Sequence, residues 1–172
     1  VKFNIVDQRA TNASVHAENL IPIKTAQDGA FTMGMIRWMI ENDRYNKEFL
    51  TAPNAKAADK RGHACYTNAT HLVISDVKHK NNRKFLRMSD INPALTGDAA
   101  KSYVVLNKEN APVAFDKTED AALDAEAVVK NSAGKEIKVK TSFRLMKEGV
   151  LEHSIDEYAR LADVEKSKLE NV

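Results

Sequence analysis

The sequence predicts a mixed α/β fold: an α/β opening of about 50 residues, a β-rich middle and helices at the C-terminal end. Three observations carry this expectation. Residues 3–6 and 20–23 are short apolar stretches separated by turn formers. Residues 28–44 follow a 3.6-residue apolar period. Residues 71–140 hold pairs of short apolar runs split by Asn-, Pro- and Gly-containing turns, after which helical patterning returns.

In order along the chain, residues 3–6 read as a strand with Asp7 at its carboxyl end. Thr11 or Asn12 is placed to cap a short helix running to Ala17. Residues 20–23 read as a second strand, and Pro22 marks it as an edge. Asp28 is suited to the N-cap or first turn of the next helix. Phe31, Met35, Trp38 and Met39 share one face of that helix, and Met33, Ile36 and Ile40 widen it, which predicts burial on more than one side. Residues 45–50 suggest a further short helix ended by residues 51–54. Residues 55–67 lack periodicity and read as a long loop, a length expected where a loop is functional or docked. Residues 71–75 and 84–88 suggest paired strands with a basic, Asn-rich tip. Residues 103–106 with 113–115, and 127–130 with 136–140, suggest two more pairs. Residues 141–149 look helical, and Ser154 with Glu157 forms a capping box for the last long helix. The resulting organisation is residues 1–54, 55–140 and 141–172.

Composition narrows the function classes. The chain has 172 residues, 43% hydrophobic and 29% charged, with a net charge of +2, so nothing draws it generally to nucleic acid. One cysteine, Cys65, excludes an internal disulfide framework and a zinc cage of thiolates. The longest apolar run falls well short of the ~20 residues that a membrane span requires. The chain starts at Val1 without a Met, on a strand, and its last helical pattern is still running at Val172. Those ends suggest a segment of a longer protein.

No complete catalytic set is visible, and none is assigned. The five histidines, at positions 16, 63, 71, 79 and 153, form no HxxxH or HExxH pair. Cys65 and His63 lie too near in sequence for the usual nucleophile–base geometry. There is no GxSxG elbow, Walker loop or GxGxxG. The basic run Lys78, His79, Lys80, Arg83, Lys84 and Arg87 reads as a solvated tip, because strand alternation sends Phe85 to the face opposite Lys84. Asp7 and Asp28 remain. A carboxylate past a strand end is where α/β folds bind a ribose or base, and a helix start presents backbone N–H groups. The simple alternatives are an Asx-turn for Asp7 and an N-cap for Asp28.

Longer words of sequence resemble a known family. Val6-Asp7-Gln8-Arg9 parallels a V-D-P-R strand end. Residues 21–30, Ile-Pro-Ile-Lys-Thr-Ala-Gln-Asp-Gly-Ala, parallel I-P-I-R-P-G-T-D-A-A, and residues 45–50 parallel Y-D-x-x-F-L. These words resemble the molybdopterin oxidoreductases, the family of dimethyl sulfoxide reductase and formate dehydrogenase. Within it the likeness is to the tetrathionate reductase branch of catalytic subunits, and it continues through residues 36–42, 67–74 and 85–87. Gln8 departs from the pattern's Pro, and Thr25-Ala26-Gln27 departs from Pro-Gly-Thr. The loss of that Gly removes a permissive backbone position.

The resemblance implies a Rossmann-like part of a cofactor-binding domain in residues 1–54, a hairpin-rich insertion, then helices. It implies a parent protein carrying bis-molybdopterin guanine dinucleotide with molybdenum and a [4Fe–4S] cluster. In such a protein the matching segment meets the guanosine end of one dinucleotide. Asp7 would contact ribose or guanine, Arg9 would neutralise phosphate or pair with a carboxylate, and Lys24, Gln27 and Asp28 would frame the base, Asp28 taking its N–H edge. The chain alone would hold no metal and no catalytic residue, and is expected to bind no cofactor by itself. The implied parent reduces tetrathionate to thiosulfate in anaerobic respiration. Its partners would be the rest of the catalytic subunit, an iron–sulfur electron-transfer subunit and a membrane anchor, at the periplasmic face. Thiosulfate, polysulfide and arsenate reductases share the arrangement. A non-enzymatic binding module and an unrecognised hydrolase are the other readings of the residues.

Overall fold

A computed structural model describes residues 3–170. The expected strand start at Val1 and Lys2 and the helix run through Asn171 and Val172 lie outside them. The fold is mixed α/β, with small sheets and helices. Strand β1 (Asn4–Asp7) is followed by a 3-10 turn at Asn12–His16 and strand β2 (Asn19–Pro22). Helices α1 (Asp28–Glu41), α2 (Lys47–Leu50) and α3 (Ala55–Lys60) precede β3 (Leu72–Ile74). Helices α4 (Met88–Ile91) and α5 (Gly97–Lys101) lead to β4 (Val104–Leu106) and β5 (Pro112–Ala114). Strands β6 (Glu126–Lys130) and β7 (Glu136–Thr141) then give way to α6 (Ser142–Leu151), α7 (Ile155–Ala162) and α8 (Lys166–Glu170). The described residues group into two compact units, one up to Tyr45 and from Lys147 on, the other Asn46–Met146.

The first unit is built on a parallel pair. β1 and β2 are in register from Asn4 opposite Asn19 to Asp7 opposite Pro22. Two short strands alone are marginal in water, so the pair is held by what β2 buries. Ile21 and Ile23 join Phe31 of α1, Ile155, Tyr158, Ala159 and Ala162 of α7, and Leu169 of α8 in one core. Burying side chains of this size contributes roughly 1.5–3 kcal/mol each. The capping box is formed: Ser154 Oγ accepts from Glu157 N–H (3.1 Å), and Glu157 Oε2 accepts from Ser154 N–H (2.7 Å). Those bonds hold the Glu157 carboxyl below its usual range. Arg37 of α1 donates to the carbonyls of Leu151 (3.2 Å) and His153 (2.6 Å), satisfying groups that the end of α6 leaves open. On α1 only Phe31 and Gly34 are fully buried, and Met39 is 40% exposed, so the helix buries a narrower face than its composition suggests.

The second unit contains the expected pairs of residues 103–106 with 113–115 and 127–130 with 136–140, and adds a partner for residues 72–74 that the pattern does not show. β3 is laddered to β7, which also pairs with β6, and on its other side it bonds to residues 84–86: Ile74 N–H donates to the Lys84 carbonyl (2.9 Å) and Leu86 N–H to the Leu72 carbonyl (2.8 Å). Residues 84–87 are bridged to Val73 through Phe85 and to Tyr103 through Arg87, the Leu86 carbonyl accepts from Val104 N–H (3.2 Å), and Met88 already begins α4. β4 and β5 form their own antiparallel pair. Leu72, Ile74, Leu86, Val104, Leu106, Val129, Ile137 and Val139 make the core. Residues 55–60 are not loop. Asn54 Oδ1 accepts from Ala57 N–H (2.9 Å) and caps α3, while its amide donates to the carbonyls of Phe115 (2.6 Å) and Thr118 (2.7 Å).

Gly34 sits where α1, α7 and α8 meet. A Cβ there would lie 2.9 Å from Leu169 Cδ1 and 3.0 Å from Tyr158 Cβ. Gly34→Val is therefore expected to destabilise the first unit by about 1–3 kcal/mol through overpacking. Urea unfolding followed by the fluorescence of Trp38, the one tryptophan, checks this; an unchanged midpoint would contradict the close approach.

Candidate functional site

Parallel pairing sends the carboxyl ends of β1 and β2 to the same side. Asp7 closes β1, and its carbonyl accepts from Ile23 N–H (3.2 Å), one residue past β2. The chain then leaves as Gln8-Arg9 from one strand and as Lys24–Asp28 from the other. Thr25 Oγ1 donates to Gln8 Oε1 (3.2 Å), so the two exits lie side by side. Gln8 and Thr25 stand where the family pattern has two prolines, and here they bond to each other.

The second exit is a turn closed by Gln27 N–H donating to the Lys24 carbonyl (3.1 Å). Its third residue, Ala26, has φ of +63°, a left-handed conformation usually left to glycine. Alanine holds this conformation at a cost of about 1 kcal/mol that the Gly of the family pattern would not incur. Lys24 N–H donates to the Ala162 carbonyl (2.9 Å), which anchors the turn on the end of α7.

Each of the five expected residues can be placed. Asp7 is half-buried, and its Oδ1 accepts from Arg9 N–H at 3.4 Å, the Asx-turn bond in a long form. Asp28 is not the N-cap: Gln27 is, with no side-chain capping bond, and Asp28 is the exposed first residue of α1. Arg9 and Lys24 are exposed, and Gln27 is half-buried. The ladder and the turn bring Asp7, Gln8, Lys24, Thr25, Gln27 and Asp28 to one end of the pair. Arg9 is tied there by its backbone alone. Among the described residues the carboxylate of Asp28 makes no hydrogen bond or ion pair.

The second unit holds a buried titratable group that the sequence pattern does not single out. His71 is 4% exposed and stacks on Tyr103 (centroids 5.4 Å apart), with Phe85 and Phe115 edge-on at 6.1 and 5.4 Å. Burial lowers its pKa below the ordinary 6.5, opposed by a bond from its ring to the Pro53 carbonyl. Beside it, Thr70 Oγ1 is buried without a partner among the described residues. Cys65 is an exposed free thiol, and His63 packs edge-on against Phe49 at 5.1 Å. Among the described residues no three His, Cys, Asp or Glu side chains gather as a metal site. No helix among them is long and apolar enough to cross a membrane.

Comparison with known proteins supplies the family. No family model matches the chain. It is 31% identical over 172 residues to a selenate reductase subunit of Mesobacillus selenatarsenatis, covering 100% of this chain and 16% of that protein. It is 30% identical over 148 residues to a tetrathionate reductase subunit of Salmonella typhimurium, covering 86% of this chain and 14% of the relative. It is 32% identical over 145 residues to a tetrathionate reductase subunit of Archaeoglobus fulgidus, covering 84% of this chain and 12% of the relative. The chain belongs to the molybdopterin oxidoreductase family. It spans less than a fifth of the length of these curated relatives.

Within the family, the local departures of this molybdopterin oxidoreductase segment have physical content. The proline pair of the pattern is replaced by a Gln8–Thr25 hydrogen bond, and the glycine by a strained Ala26. Ala26→Gly is expected to raise stability by about 0.4–1 kcal/mol, since glycine adopts this φ without a Cβ penalty. Thermal unfolding checks it, and a lowered midpoint would contradict the turn geometry. His71 carries a pH expectation. Its folded pKa lies below 6.5, so the unfolded chain binds the proton more readily. Stability is then full above that value, falls as pH drops through it, and levels off below the folded pKa. Urea unfolding over a pH series is expected to show a shallower acid slope in His71→Gln; an equal slope would contradict a neutral buried imidazole.

Proposed function

We propose that this segment forms part of a molybdopterin guanine dinucleotide site, with the exits of β1 and β2 receiving the guanosine end. The observation that carries this reading is the pairing of those exits, which sets Asp7 and the Lys24–Asp28 turn side by side. The donor set suits the group. The Asp28 carboxylate has both oxygens open to the parallel N1–H and N2–H bonds of a guanine edge. Asp7 keeps one oxygen for a ribose hydroxyl or a base N–H. Gln27 offers an amide beside the base, and Arg9 and Lys24 offer positive charge to a diphosphate. The first N–H groups of α1, with 14 residues in the helix, add a favourable field for anions.

Residues 1–54 act in this reading as the α/β part of a dinucleotide-binding domain, residues 55–140 as an addition to it and residues 141–172 as its helical close. The parent is a molybdenum-dependent reductase. Its substrate is tetrathionate, the compound named for two of the relatives, with selenate, named for the third, as the alternative. Bound in the parent, the molybdenum cofactor supplies the two-electron chemistry, and this chain's residues only bind and orient its nucleotide end. A [4Fe–4S] cluster, an iron–sulfur partner, a membrane anchor and a periplasmic setting belong to the same proposal.

Calorimetric titration of the chain with GMP and AMP tests it. Weak binding that favours GMP is expected, and it is expected to disappear in Asp28→Ala. Equal affinity for both nucleotides, or GMP binding that survives Asp28→Ala, would overturn the assignment of the guanine edge to Asp28.

A further inference from the structure

Three cations of the basic run, the exposed Arg83, Lys84 and Arg87, line a cleft of about 460 Å³ in the second unit together with Phe85, Asp90 and Tyr103. We propose that this cleft is a receptor site for a divalent tetrahedral oxyanion, one that goes beyond the guanosine site and does not depend on it.

Charge points there first. Three cations face one carboxylate, and that carboxylate is already engaged: Asp90 Oδ2 accepts from Arg87 N–H (3.0 Å) and Oδ1 from the Asn81 amide (3.0 Å). Arg83 and Lys84 have no ion-pair partner among the described residues. Like charges brought together without counter-charges repel, and a bound dianion removes that repulsion.

Backbone geometry points the same way. Arg83 N–H donates to the Ile74 carbonyl (2.8 Å), while Ile74 N–H donates to the Lys84 carbonyl (2.9 Å). Two residues thus face one, the pattern of a β-bulge whose first position is normally glycine. Lys84 N–H also closes a turn on the Asn81 carbonyl (3.0 Å), placing Arg83 third in that turn. Both features call for a positive φ, and Arg83 has +64°. A long cation therefore occupies a strained position that glycine would fill without strain. The bulge breaks strand alternation, so Lys84 and Phe85 both line the cleft.

The wall of the cleft adds a fixed cation and an aromatic surface. Arg87 lies over the Tyr103 ring, 5.1 Å from its centroid, and donates to the Lys101 carbonyl (3.3 Å), which fixes its guanidinium. Phe85 meets Tyr103 at 5.5 Å. The site thus joins a fixed guanidinium, two further cations and an aromatic floor. The cations serve any such dianion, and the aromatic floor beside them suits the base of a nucleoside monophosphate.

The test is a titration of the 172-residue chain with sodium sulfate, selenate or AMP, at ionic strength held constant with sodium chloride, followed by amide NMR shifts and calorimetry. Saturable shifts at residues 83–87 and at Tyr103 with the divalent ions, absent with chloride, are expected. Tighter binding of AMP than of the inorganic ions would assign the oxyanion to a phosphate monoester, and tighter binding of sulfate or selenate to an inorganic source. Arg83→Gly is expected to raise the thermal midpoint and yet weaken binding about tenfold or more, and Lys84→Gln to weaken it without loss of fold. Chloride acting as well as sulfate, or undiminished affinity in Arg83→Gly and Lys84→Gln, would overturn the proposal.

Discussion

The parallel ladder between Asn4–Asp7 and Asn19–Pro22 is the constraint on which the proposed site depends. A parallel pair, unlike a hairpin, delivers two separate chain segments to the same edge. The four-residue ladder is too short to stand alone. It persists because Ile21 and Ile23 are buried against α1, α7 and α8, and because the Lys24 amide is bound to the end of α7. Core packing, the ladder and the placement of Asp7 and Asp28 are therefore one connected arrangement. Loosening Gly34, Tyr158 or Leu169 would reach the Lys24–Asp28 turn through the same contacts.

Two turns in this chain share an unusual economy. Ala26 and Arg83 both hold a left-handed conformation at the third position of a turn, and in each case the turn sits at a proposed binding surface. At Ala26 the family pattern supplies glycine, so the strain is a departure that the neighbouring Gln8–Thr25 bond accompanies. At Arg83 the side chain itself is the gain, since glycine would supply the conformation but no charge.

Much of the first unit is legible in the sequence because its signals are local. The end of β1 at Asp7, the proline edge of β2, the start of α1 and the Ser154–Glu157 box all depend on residues close in sequence. The second unit is less legible because its partners are distant. The pairing of β3 with β7, on the side away from residues 84–86, joins segments some seventy residues apart, and no short-range pattern encodes it. The helix at Ala55–Lys60 carries a readable signal, an Asn N-cap followed by good helix formers, which its lack of apolar period conceals. The Arg83 bulge breaks the strict alternation by which a strand is read, so its effect on Lys84 and Phe85 is invisible to pattern alone. His71 is hidden in the same way, because its aromatic neighbours come from three different segments.

Membership of the molybdopterin oxidoreductases rests on whole-chain similarity, whereas the proposed nucleotide role rests on the geometry of the two strand exits. A crystal structure of the chain with GDP separates them most directly. The base is expected between the exits of β1 and β2, with its N1–H and N2–H edge within hydrogen-bond distance of the Asp28 carboxylate and its ribose toward Asp7. GDP bound with its base directed away from Asp28, or seated at another surface with this end of the ladder bare, would contradict the assignment.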